Sequence, residues 1–157
     1  EVRTYSRAAT LSNKRPHNVL AAKFSIPYAL AVRFFTGKAD VRSFREELLF
    51  HDGIRRLAEK IDVLPSAELE KDYPSIMPAV VSLTTTDGKT YEERCDMARG
   101  GITDPFTVEE LKQKFLDLTS VAYSEEVQNK LWDVIWTMEE QTSLQPFFQA
   151  LRTTKNV

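Results

Sequence analysis

The chain has 157 residues and 42% apolar side chains, enough for one domain of ordinary size with a real core. Its 28% charged residues and modest Gly and Pro content exclude a low-complexity or disordered polymer. The net charge of −2 hides an asymmetry, with +6 over residues 1–60 and −8 over residues 61–157. A basic front half suits a small anion. Its basic residues are scattered along the sequence and do not form the clustered stripe that nucleic acid requires.

In chain order, Val2 to Ala8 alternates, with Val2, Thr4 and Ser6 on one side and Arg3, Tyr5 and Arg7 on the other. This predicts an edge strand. A polar loop, Ser12 to Pro16, leads into a nearly all-apolar stretch, and an all-round apolar helix is a buried one. Ser25 caps a helix that starts at Ile26, Pro27 is tolerated in its first turn, and Gly37 ends it. Two short helical pieces follow, Ser43 to Leu49 and Gly53 to Lys60, the second capped by Asp52.

The period then changes. Ile61 to Leu64 reads as a strand stopped by Pro65, and Ala67 to Lys71 as a helical turn within a loop. Ala79 to Thr85 and Thr90 to Met97 are two β-rich runs around Asp87-Gly88, where glycine supplies the positive φ of a hairpin turn. The last third is helical. Thr107 and Glu110 form a capping box, Ser124 caps a second helix, and Ser143 opens a third that carries Phe147, Phe148 and Leu151. The fold class expected is α+β: a small, mainly antiparallel four-stranded sheet packed with helices, plus C-terminal helices.

Most motifs of chemistry are missing. His17 and His51 stand far apart with no paired ligands, so no metal site is expected. There is no G-x-S-x-G, and Gly100-Gly101 lacks the strand-turn-helix setting of a nucleotide loop. The single cysteine, Cys95, lies in a strand-like run and reads as a buried structural thiol. One cysteine also fits a reducing, cytoplasmic setting, and Phe24 to Phe35, broken by Arg33, is too short to span a bilayer. The start at Glu1, directly in a strand-like run, reads as a piece of a longer protein.

Lys23, Ser25 and Tyr28 stand out as polar groups set into the apolar run. With Ser25 at the cap, its hydroxyl and the open N–H groups of the first turn would make an anion-friendly corner, and Lys23 would add a positive charge. Tyr28 has two readings on residue types alone. One is a buried phenol bonded to a backbone carbonyl, and the other is a proton donor or carboxylate holder.

The run HNVLAAKFSIPYALAV, His17 to Val32, resembles the segment that marks the second domain of the MmgE/PrpD family. IRRLAEKIDV (Ile54 to Val63) and PAVVSLTTTDGKTYEE (Pro78 to Glu93) are similar to that domain's helix-strand segment and its hairpin. Arg99 to Thr107 resembles the loop before its last helices, although Gly101 and Asp104 depart from the family's usual Gly-Asp and Asn-Pro-Leu-Thr. The resemblance implies a lid domain over residues 1–106, with residues 107–157 as helices that pack toward a helical N-terminal domain. It implies a cofactor-independent lyase or isomerase acting on small di- and tricarboxylates, such as a 2-methylcitrate dehydratase, a cis-aconitate decarboxylase or an iminodisuccinate epimerase. Tyr28 would be the catalytic residue, with Ser25 and Lys23 binding substrate and no metal involved. The partners implied are the polycarboxylate, the N-terminal domain and a second copy of the chain, with neither nucleic acid nor membrane. The alternative is a freestanding α+β interaction domain that binds a protein through Trp132, Trp136, Phe147 and Phe148 of its apolar C-terminal helices.

Overall fold

The computed structural model of the chain describes residues 1–153. It divides into two compact units, Glu1–Ala98 and Arg99–Val157.

The first unit is built on four strands, β1 (Val2–Thr4), β2 (Val63–Pro65), β3 (Ala79–Thr84) and β4 (Thr90–Cys95), in the order β2-β1-β3-β4. β1 runs parallel to β2, with Val2 opposite Val63, and antiparallel to β3, with Val2 opposite Val81. β3 and β4 form the expected hairpin: Thr85 donates its N–H to Lys89 O at 2.9 Å, and Gly88 takes φ +83°. The α+β class is therefore as expected, with two antiparallel pairs and one parallel one.

Two features of the sheet differ from the sequence expectation. β1 is an interior strand, because the chain returns as β2 on its free side, and Val2 and Thr4 are both buried. The alternation does not run to Ala8: the chain turns at Tyr5 into a one-turn helix α1 (Ser6–Ala9), while Tyr5 stacks on Tyr73 at 4.4 Å between ring centres. Cys95 is the second correction. β4 is the outer strand of the sheet, and all six of its residues are exposed, Cys95 included. Its Sγ–H donates to Met97 O at 3.2 Å.

Five further helices complete this unit. They are α2 (Val19–Lys23), α3 (Ile26–Thr36), α4 (Glu46–Leu49), α5 (Asp52–Glu59) and the turn α6 (Ala67–Glu70), with a 3-10 turn at Val41–Ser43. α3 begins and ends where its residues dictate. Ser25 Oγ accepts the N–H of Tyr28, and Gly37 takes φ +75°, a left-handed conformation that a side chain resists. α5 starts one residue earlier than expected, because His51 Nδ1, and not Asp52, accepts the N–H of Gly53. The core lies between α3, α5 and β1, where Ala31, Val32, Ile54 and Ala58 pack with Val2, Ile61 and Val63.

The second unit contains α7 (Val108–Thr119), α8 (Glu125–Trp136) and α9 (Gln145–Leu151). The expected capping box is present: Thr107 Oγ1 accepts Glu110 N–H at 3.2 Å, and Glu110 Oε2 accepts Thr107 N–H at 2.9 Å. Ser124 Oγ likewise accepts the N–H of Val127. Among the described residues no helix is long and apolar enough to cross a membrane.

Candidate functional site

The segment from His17 to Val32 forms α2, a tight corner and most of α3. Asn18 caps α2 by accepting Ala21 N–H at 2.8 Å, and Phe24 ends it. Leu20, Lys23 and Phe24 are three and four residues apart, the spacing that places side chains on one helix face. All three are exposed, Leu20 at 66% and Phe24 at 60%. Two large apolar groups thus flank one ammonium on open surface.

Ser25 turns the other way. It is 2% exposed, and its hydroxyl is used twice: it accepts Tyr28 N–H at 3.0 Å and donates to Asn13 O at 2.5 Å. Ile26 N–H donates to Leu11 O at 2.9 Å, Pro27 has no N–H, and Ala29 N–H donates to Ser25 O at 3.0 Å. The anion-friendly corner expected from the sequence is therefore closed. Every donor of the first turn already has a protein acceptor, so the helix end offers none to a ligand.

Tyr28 lies in the core at 1% exposure, its ring tilted against Phe44 at 5.8 Å. Its hydroxyl donates to Ser43 O at 3.0 Å, which satisfies the one proton it has to give. Burial pushes the phenol above its ordinary pKa, so the group is a neutral donor at physiological pH. Ser43 is in turn held by Asp40. Asp40 Oδ1 accepts the N–H of Arg42 at 2.9 Å and of Ser43 at 3.2 Å, while Ser43 Oγ accepts Asp40 N–H at 3.1 Å. Partial burial works to raise the Asp40 carboxyl. The hydrogen bonds from Arg42 and Ser43, with the charge of Lys38, outweigh it and hold the group below its ordinary pKa. A line of contacts thus runs from Asp40 through the Val41–Ser43 turn to Tyr28 and α3.

The three residues singled out in the sequence are therefore neighbours with different surroundings. Ser25 and Tyr28 are fixed inside, and Lys23 stands outside with no acceptor for its ammonium among the described residues. The sequence reading did not single out Leu20 or Phe24, although their spacing from Lys23 was readable in advance. Ser43 and Asp40 carried no signal, because they meet Tyr28 only through folding.

The loop at Arg99–Thr107 is tied up internally. Arg99 reaches Asp104 at 2.7 Å and Glu110 at 2.6 Å, and Gly100 N–H donates to Asp104 O at 2.7 Å. Gly100 takes φ +94° with the Phe106 ring where a Cβ would stand, so only glycine fits there. Asp104 serves this turn, which accounts for its place in the loop without a ligand. Among the described residues no group of three His, Cys, Asp or Glu is placed to hold a metal ion.

No curated protein matches the chain. The model of the MmgE/PrpD C-terminal domain matches residues 1–140, the span that holds the whole sheet, the α2–α3 corner and the capped helices α7 and α8, and the chain belongs to the MmgE/PrpD family as its C-terminal domain.

Proposed function

We propose that this domain is the lid of a two-domain enzyme that moves a proton α to a carboxylate of a small di- or tricarboxylic acid. The outcome would be dehydration, decarboxylation or epimerisation. Family membership supports the class of reaction. The observation that carries the assignment to this surface is the exposed Leu20, Lys23 and Phe24 face of α2. It presents one unpaired cation, the complement of a carboxylate, beside two apolar groups, and closure of the lid would exclude water from it.

In this reading Lys23 binds a substrate carboxylate, and Ser25 and Tyr28 hold the corner that aims it. Tyr28 would donate a proton to substrate only if its bond to Ser43 O opened. The Arg99–Val157 unit would pack its apolar helix faces on the N-terminal domain. Its exposed Ile135, Trp136 and Phe148 favour that arrangement. The same residues also support a second reading, a domain whose role is protein association.

The test uses the full-length protein with methylcitrate, cis-aconitate and iminodisuccinate, alongside Lys23→Met and Tyr28→Phe. Lys23→Met is expected to raise KM by about ten-fold or more, the loss of one charge-assisted contact. Tyr28→Phe should leave kcat within a few-fold if the phenol only positions α3; a fall of about a hundred-fold or more would instead make it the proton donor. Lack of activity toward all three acids would remove the enzyme reading and leave the association reading. The 157 residues alone are expected to show no turnover, because one wall of a cleft cannot place both the acid and the base of a proton transfer.

A further inference from the structure

The sheet is unfinished at one place. β3 pairs with β4 along its whole length, but β1 faces only Ala79–Val81 of it. Glu1 extends the ladder by one step: its nitrogen donates to Ser82 O, and its carbonyl accepts Ser82 N–H, both at 2.9 Å. Glu1 and Ser82 are therefore a hydrogen-bonded antiparallel pair. Such pairs alternate along a ladder. Leu83 consequently turns its backbone groups to β4, and Thr84 turns its N–H and C=O toward the line that β1 would follow. No backbone partner stands opposite Thr84 on that side among the described residues.

A groove of about 550 Å³ lies along the same line. Phe34 of α3, Leu57, Lys60 and Ile61 at the end of α5, and Leu83 and Thr84 of β3 line it, with Glu1 at its head. Phe34 is 52% exposed and Leu83 41%. Two large apolar side chains of a sheet-and-helix core are thus left open to water beside an unpaired stretch of ladder.

Register determines what fits. Val2 lies opposite Val81 and Glu1 meets Ser82, so the residue before Glu1 would lie opposite Leu83 and the one before that opposite Thr84. Side chains alternate along a strand. The residue immediately before Glu1 would share the face of Val2 and Thr4, which are 3% and 2% exposed. That face points to the groove, and the preceding residue would point away from it.

We propose that this groove seats the polypeptide that joins the domain to the family's N-terminal domain, and that two residues ahead of Glu1 prolong β1 antiparallel to β3. The first is an apolar side chain that closes the groove against Leu83 and Phe34. The second supplies backbone partners to Thr84. The domain boundary is then a continuous strand and not a free linker, so the orientation of the N-terminal domain is set partly by this sheet. The inference rests on family membership and on the ladder, not on the proposed reaction.

The test uses the full-length protein and reads no activity. Amide hydrogen exchange at Thr84 is expected to be as slow as at Ser82, and at least about ten-fold slower than at Asp87 and Gly88 in the hairpin turn. Aspartate in place of the residue immediately before Glu1 is expected to lower Tm by several degrees, about 4 °C or more, because it puts a charge in the groove. Aspartate one residue earlier should change Tm by less than about 1 °C. Three results would overturn the proposal: Thr84 exchanging as fast as the turn, the two aspartates acting equally, or Thr84 protection that rises with protein concentration. The last would assign the groove to a second copy of the chain.

Discussion

The two units solve the burial problem differently. Glu1–Ala98 closes a core around Tyr28, Val32, Leu49 and Ile54, each at 1% exposure or less. In Arg99–Val157 only Gln128, Leu131, Trp132 and Ala150 are buried among the described residues, and α7 buries none. Leu118, Val121, Trp136, Leu144 and Phe148 are each about half exposed or close to it, between 47% and 59%. A sheet with helices on it can bury one side completely, whereas three short helices expose most of what they carry. The first unit closes a core although Leu20, Phe24, Phe35 and Phe50 stay exposed on it, whereas the second leaves most of the apolar surface it carries open.

That contrast can be tested by mutation. Ile54→Ala should cost the first unit about 3 kcal/mol, as a fully buried Ile truncated in a closed core. Leu118→Ala, at 47% exposure, should cost less than about 1 kcal/mol. Urea unfolding of both variants checks the difference, and comparable losses would mean that the second unit has a core of its own.

Gln128 is the sharpest polar feature of the second unit. Its amide donates to Leu116 O and to Thr119 Oγ1, joining α8 to the end of α7 while 5% exposed. Gln128→Leu should cost about 1–2 kcal/mol by removing both hydrogen bonds that tie α8 to α7, with Leu116 O keeping the N–H of Ser120, read by the change in Trp132 and Trp136 fluorescence on unfolding. Tyr28→Phe should cost the first unit about 1 kcal/mol, since it removes one hydrogen bond and keeps the ring in place. A loss above about 3 kcal/mol would show that the phenol fixes the Val41–Ser43 turn as well as bonding to it.

The smallest expected effect is a pH dependence from Asp40. Its folded pKa lies below the ordinary carboxyl value, so its contribution is present above about pH 4 and is lost as pH falls through the lower folded value. The urea midpoint should therefore decline with acid over that range. Asp40→Asn should flatten part of the decline, and an unchanged slope would assign the acid sensitivity to other carboxylates.

Local features were readable in advance because neighbouring residues satisfy them. Ser25 and Gly37 mark the ends of α3, Thr107 and Glu110 open α7, and Asp87-Gly88 makes the hairpin, each through bonds or conformations within a few positions. The family resemblance was readable for the same reason, since its motifs are contiguous runs and match residues 1–140. At the candidate site the sequence singled out one corner but not the state of its groups. Lys23, Ser25 and Tyr28 looked alike as polar residues in an apolar run, and only folding left the first outside and fixed the other two within.

The sequence by itself determined where α3 starts and stops, where α7 and α8 start and where the hairpin turns, which is a matter of hydrogen bonds between near neighbours. Tertiary structure alone decided the matters that depend on distant partners. β1 became an interior strand because Val63–Pro65 returns beside it, Cys95 stayed exposed because β4 lies at the edge of the sheet, and the Tyr28 proton went to a carbonyl fifteen residues away. Alternation along a strand says which side chains share a face. It does not say how many strands will come to lie beside it, because that depends on what remote segments gain by pairing there.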